Sequence, residues 1–208
     1  MTPPFAFAAP RSAKASEGKD MHQGVLPEKA PCVSVIVPTF NRVSLLKEAV
    51  GAILSQTLTD LELIIIDNLS SDGTEAFVSA IGDSRVRYYR NPNNGVIAVS
   101  RNLGIRKSAG RFAAFCDDDD IWAHDKLETQ VMFMEDNPDI SLSFGYALDF
   151  GLPEPTGRLH YPEGESRSAA SFEALFAKGN KIVSSTVMVR KAGFDESGLF
   201  DETPEFRA

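Results

Sequence analysis

Apolar positions along this chain fall into two alternating patterns, short continuous runs and longer stretches at helical spacing. Cys32-Val-Ser-Val-Ile-Val37 is a β-branched run followed by Pro38, which cannot donate to a ladder, so a buried strand is expected to end there. From Ser44, placed as the N-cap, Leu45, Leu46, Ala49, Val50, Ile53 and Leu54 recur with the period of a helix. Leu61-Glu-Leu-Ile-Ile-Ile66 predicts a second strand, NLSSDG a turn, and residues 72–81 a helix. A third strand is expected over 86–89, a helix over 96–107 and a fourth strand over 111–116. After four aspartates the pattern predicts a helix over 126–137 and a strand over 140–150. An exposed loop over 151–167, a helix over 171–178 and a last strand over 182–189 follow, and residues 193–206 are turn-rich. The β-α-β-α-β-α-β order implies an α/β fold of the Rossmann type, a mostly parallel sheet flanked by helices with a ligand cleft at the strands' C-terminal ends.

Composition narrows the class. Residues 1–31 are rich in Pro, Ala, Ser and Lys without periodicity and are expected to be a flexible leader, leaving 32–208 as the folded domain. With 43% hydrophobic and 24% charged residues, the chain as a whole can bury a real core. A formal charge of −8 and no long Lys/Arg run exclude a nucleic-acid surface, so a polyanionic partner needs a local basic patch or a metal. Cys32 and Cys116 sit inside apolar runs and read as small buried hydrophobes, which suits a reducing, cytoplasmic compartment. No window has the apolar length of a membrane span and no secretion signal is legible, although peripheral membrane contact is compatible with the sequence.

The chemistry gathers where the predicted strands end. Phe115-Cys-Asp-Asp-Asp-Asp-Ile-Trp122 puts four carboxylates at the end of the fourth run. Alternation along a strand would set Asp117 and Asp119 on one face, able to address one Mg²⁺ or Mn²⁺, with Asp118 directed elsewhere. The plainer alternative is a solvated acidic turn capping the next helix. Pro38-Thr-Phe-Asn-Arg42 and Asp67-Asn68 end the first two strands; the latter pair suits a base edge or ribose hydroxyl, or equally ordinary turn chemistry. Arg101 and Asn102 follow the third strand, and Arg101 suits a diphosphate or a structural ion pair. Trp122 is expected in the core and His124 on the surface, and three scattered histidines give no zinc spacing.

VSVIVPTFNR at 33–42, LELIIIDNLSSDGT at 61–74, NNGVIAVSRNLGI at 93–105, AGRFAAFCDDDDIWAHDKLE at 109–128 and STVMVRKAGFDESGLFDETPEF at 185–206, in this order, resemble the family 2 glycosyltransferases of the GT-A fold. The resemblance implies inverting transfer of a sugar from a nucleotide diphosphate donor (UDP-, dTDP- or GDP-linked) to a glycan, lipid-linked or protein acceptor hydroxyl, aided by Mg²⁺ or Mn²⁺. It assigns the Asp run as a DXD-type motif, with Asp119 on the metal, Asp118 near the ribose and Asp117 in support. Pro38, Thr39, Asn41, Arg42, Asp67, Asn68, Arg101 and Asn102 then match the nucleotide side. The Asp67-Asn68 pair departs from the Asp-Asp of many members, which alters what base can be read. The family's general base is an Asp in an acidic pair shortly after a GGFDE-like turn, matched here by Gly198-Leu-Phe-Asp-Glu202. The chain stops at Ala208 where that pair is due, so the expectation is a fragment that keeps the donor site and lacks the base. None of Asp195, Glu196, Asp201, Glu202 or Glu205 matches that role. A nucleotide-sugar binding module without catalysis is the alternative from another class; a nucleotidyltransferase would need a Gly-rich phosphate loop that PTFNRVS lacks.

Overall fold

In the computed structural model, which describes residues 30–150, 155–159 and 182–204, the first apolar run forms β1 (Val33–Thr39), buried at every position. β2 (Leu61–Asp67) is buried throughout as well. Burial on both faces is what a parallel sheet covered by helices requires, and it explains runs that are apolar without alternation. β3 (Val86–Arg90) and β4 (Phe112–Phe115) complete four parallel strands, joined by α1 (Val43–Leu54), α2 (Thr74–Ser79) and α3 (Ile97–Lys107). The chain continues through α4 (Lys126–Asp136), β5 (Leu142–Ser143), β6 (Leu148–Phe150) and β7 (Pro155–Leu159). A 3-10 turn at Ser184–Thr186, β8 (Met188–Arg190) and α5 (Gly193–Ser197) close the described chain.

The main sheet runs β3-β2-β1-β4-β8-β5, with β8 antiparallel to both its neighbours; β6 and β7 form a separate antiparallel pair. The two faces of β1 feed two cores. Val33, Val35 and Val37 pack with Leu46, Val50 and Ile53 of α1 and Leu127, Val131 and Met134 of α4. Ile36 faces the other way, with Ile105 of α3, Phe115, Val187 and Val189. Successive strands step from β1 to β2 to β3 in one direction, and β4 then lies on the opposite side of β1. This reversal creates a switch point outside the C-terminal ends of β1 and β4, the place where open α/β sheets form a ligand crevice.

Several expectations change. β1 runs through Pro38 to Thr39, because pairing with β4 has already stopped at Ile36 and Pro38 faces only Ile66 of β2. α1 starts at Val43, with Arg42 at the N-cap position, and its first N–H is capped at 2.8 Å by Asp72 Oδ2 rather than by Ser44. α2 is shorter than 72–81. The strand expected over 140–150 splits into β5 and β6, and part of the expected loop is β7. Within the expected last strand, Ser184–Thr186 form the 3-10 turn instead, and β8 begins only at Met188. The leader through residue 29 and the helix over 171–178 lie outside the described residues.

Candidate functional site

At the switch point the end of β1 meets the loop after β4. Thr39 Oγ1 donates to Asp118 Oδ2 at 2.7 Å, and Arg42 Nη1 reaches Asp118 Oδ1 at 3.3 Å and Asp119 Oδ2 at 2.8 Å. The shared guanidinium offsets the repulsion between adjacent carboxylates. Asp118 is buried, which pushes its carboxyl above the usual range while Thr39 and Arg42 pull it back. The Asp119 side chain is 47% exposed.

Asp117 belongs to a second group. Its Oδ1 accepts from Arg101 Nη2 at 2.8 Å, its Oδ2 from Ser184 Oγ at 2.9 Å, and its N–H donates to Ser185 Oγ at 2.9 Å. β4 ends at Phe115, with Cys116 between it and the aspartates, and the Asp120 N–H turns back onto the Asp117 carbonyl. Strand alternation therefore does not govern the run. Asp118 and Asp119 meet on Arg42 while Asp117 bonds Arg101 and Ser184, so the expected division by strand face does not hold, although Asp117 and Asp119 both keep exposed side-chain surface.

The β2 end is an ordered scaffold. Asp67, with no exposed surface, accepts from the Ser70 N–H at 2.9 Å, Ser70 Oγ at 2.5 Å and the Tyr88 hydroxyl at 2.6 Å, with Arg90 Nε at 3.5 Å. Burial, then the Asp67 carboxylate, hold the Tyr88 hydroxyl protonated. Asn68 Oδ1 accepts the Asn93 N–H at 2.8 Å, ordering the loop ahead of α3. Asn41, at φ 52°, donates its N–H to Ser70 Oγ and accepts the Ser71 N–H on Oδ1, both at 2.8 Å. The β1 and β2 loops are thus stitched into one rim. Asn102 is buried and bonded to Phe200 and Glu202 rather than directed into the crevice.

Trp122 is buried, its Nε1 donating to the Ser185 carbonyl, and His124 is exposed, both as expected. Sequence reading missed Ser70, Tyr88, Ser184 and Ser185. The serines before β8 were hidden inside a run that reads as continuous strand. A cleft of about 730 Å³ lies at the other end of β4, beside the end of β8, but its cations are already engaged. Arg106 pairs with Glu202, Arg111 with Glu135, and Arg190 and Lys191 bond backbone carbonyls.

Among the described residues no three His, Cys, Asp or Glu side chains converge to cage a metal. Mg²⁺ needs no such cage, since one or two carboxylates with phosphate oxygens and waters suffice. Asp119 and the 30%-exposed side chain of Asp117 supply oxygens of that kind, so the donor set fits a divalent ion presented with a diphosphate.

Residues 34–192 match the sequence model of the family described as Glycosyl transferase family 2. The chain belongs to that family. Its relatives include the UDP-Glc:alpha-D-GlcNAc-diphosphoundecaprenol beta-1,3-glucosyltransferase WfgD of Escherichia coli. That protein is 37% identical over 113 residues, 54% of this chain and 44% of its own length. The chain spans between 15% and 56% of the length of eight such curated relatives. Among solved structures, Staphylococcus aureus TarS 1-349 in complex with UDP superposes with a TM-score of 0.66 at 20% identity, covering 85% of this chain and 52% of that one. The mannosyltransferase PcManGT of Pyrobaculum calidifontis, in complex with GDP-Man and Mn²⁺, gives 0.60 at 18% identity, covering 91% and 51%. At such identities these two establish the GT-A fold alone.

Proposed function

We propose that this domain binds a nucleoside-diphosphate sugar in the β1/β4 crevice and serves transfer of the sugar, with inversion, to an acceptor hydroxyl. The observation that carries the reading is the Thr39–Asp118–Arg42–Asp119 network at the sheet's switch point. Pro38, Thr39, Asn41, Arg42 and Asn68 line the nucleoside side, with Asp67 bracing the rim from beneath. Asp118, oriented by Thr39, addresses the ribose, and Arg101 stands toward the diphosphate. A Mg²⁺ or Mn²⁺ ion held by Asp119, with Asp117 in support, would neutralise the departing diphosphate as a Lewis acid.

The names of similar proteins support this donor class. WfgD is named for a UDP-glucose donor and a diphosphoundecaprenol-linked acceptor, TarS is solved with UDP, and PcManGT with GDP-Man and Mn²⁺. A UDP-, dTDP- or GDP-linked donor and an acceptor in cell-surface glycan synthesis follow as the proposal. A cytoplasmic location, with membrane contact at most peripheral, fits two buried free thiols. No described helix is long and apolar enough to cross a membrane.

Calorimetric titration of UDP, dTDP and GDP, with and without Mn²⁺, tests the reading. Micromolar binding of one nucleotide that requires both the metal and Asp119 is expected, and an Asp119→Ala variant should lose it. Binding that is indifferent to both would remove the metal from the site. No binding of any of the three would refute the crevice as a donor site.

A further inference from the structure

Asn102 occupies a different position from the nucleotide contacts among which the family pattern places it. It is 1% exposed, and its carboxamide is fully used. Nδ2 donates to the Phe200 carbonyl and to Glu202 Oε1, both at 2.8 Å, while Oδ1 accepts the Phe200 N–H at 3.0 Å. An amide has two donor hydrogens, and both are spent. The side chain reads the backbone of Phe200 as a neighbouring strand would, gripping a segment that lies 98 residues away in sequence.

What it grips matters for the crevice. The Phe200 ring packs edge-on against Phe115, with centroids 5.4 Å apart, and lies 6.0 Å from the Arg101 guanidinium carbon. Arg101 in turn holds Asp117 at 2.8 Å, while its Nε is buried without a hydrogen-bond partner. A guanidinium lacking one of its bonds depends on its walls for placement, and Phe200 is one of them. Consecutive positions on α3 therefore act on two sides: Arg101 on the loop after β4, Asn102 on the segment after α5.

We infer that Asn102 is a positioning residue that fixes the 198–202 segment and, through the Phe200 ring, sets Arg101 against Asp117. The role rests on the donor-site reading only where it concerns Arg101 and the diphosphate; the grip on the segment stands apart from it. Loss of the grip should weaken what Arg101 does at the diphosphate while sparing the nucleoside contacts at the β1 rim.

Hydrogen exchange and nucleotide titration, run on the same variants, test both halves. In Asn102→Ala and Asn102→Asp, exchange over 198–202 should quicken by about tenfold or more, with β1 and β2 still protected. Asp keeps the acceptor for the Phe200 N–H but loses both donors and sets a second carboxylate against Glu202. Adding Glu202→Gln to Asn102→Asp restores a donor between the two side chains and should recover part of the protection. In Mn²⁺, the ratio of UDP to UMP affinity should fall about tenfold in Asn102→Ala, with UMP binding unchanged. Unaltered exchange over 198–202, or no recovery in the double variant, overturns the grip. Faster exchange with an unchanged ratio overturns the link to Arg101, and equal loss of UMP and UDP makes Asn102 a nucleotide contact after all. If the unsubstituted protein binds neither nucleotide, the donor-site reading and the Arg101 link fail together, and exchange alone decides the grip.

Discussion

Lys126 shows how a single side chain can carry a pH signature without belonging to the crevice. Its ammonium lies 4.0 Å from the centre of the Trp122 ring and donates to Gln130 Oε1 at 2.7 Å. Burial pulls its pKa from 10.5 to about 7, against a smaller opposing pull from Cys116. The unfolded chain holds the proton up to its ordinary value, whereas the native state releases it near 7. Between those values the unfolded state binds more protons, so the Lys126 contribution makes stability rise with pH; below about 7 the cost of burying the charge is present in full. The buried thiols of Cys32 and Cys116, both raised by burial, act in the opposite sense near pH 9, where the unfolded chain loses those protons first. Comparison with Lys126→Met isolates the amine. Urea midpoints at pH 6.5, 7.5 and 8.5 should show the native protein gaining on the variant as pH rises. Parallel curves would mean that Lys126 stays charged against Trp122 throughout.

At the scale of elements, the α3–β1 contact sets how closely helix and sheet approach. A Cβ built on Gly104 would stand 2.4 Å from Ile36 Cγ2, and Ile36 is wholly buried. Alanine in a helix interior is favoured over glycine by about 1 kcal/mol, but overpacking a fixed core costs about 1–3 kcal/mol. Overpacking should win, so Gly104→Ala is expected to destabilise, whereas Gly51→Ala on α1, with nothing within 4 Å, should stabilise by roughly 0.5–1 kcal/mol. Denaturant midpoints of the two variants check this, and a Gly104→Ala protein as stable as Gly51→Ala would refute the close approach. The elements around this contact were legible in sequence because each carries its own signal: β1, β2 and β4 are continuous apolar runs, and α1 repeats at helical spacing. What escaped depends on residues far apart. Asp72 reads locally as the start of α2, and its Oδ1 does serve Thr74, yet its Oδ2 caps α1 from 29 residues away. Pro38 reads as a terminator, but only the neighbouring strand's register shows that its missing N–H costs nothing there. The crevice follows the same division. Its carboxylates and Arg42 were found by type and place, while the sharing of Arg42 by Asp118 and Asp119 depends on how the turn after Phe115 folds, which alternation could not supply.

For the molecule as a whole, ligand binding should be visible as stability. A ligand that binds only the native state adds about 2.7 kcal/mol at a hundred times its Kd, which for a domain of this size is roughly 5–10 °C in Tm. The cognate nucleoside diphosphate with Mn²⁺ should produce such a shift, and a chelator should cancel it. The chain's formal charge of −8 sharpens the control. Removing one carboxylate from the Asp run relieves like-charge repulsion, and Asp119 is half-exposed, so Asp119→Ala should leave the unliganded Tm within about 2 °C. The variant then isolates the site from the fold: an intact melting point with the nucleotide shift abolished ties Asp119 to the ligand. A lower melting point with the shift retained would make Asp119 a structural partner of Arg42 and move the metal elsewhere. A shift that survives chelation in the unsubstituted protein would show that Thr39, Arg42 and the β2 rim hold the nucleotide without an ion.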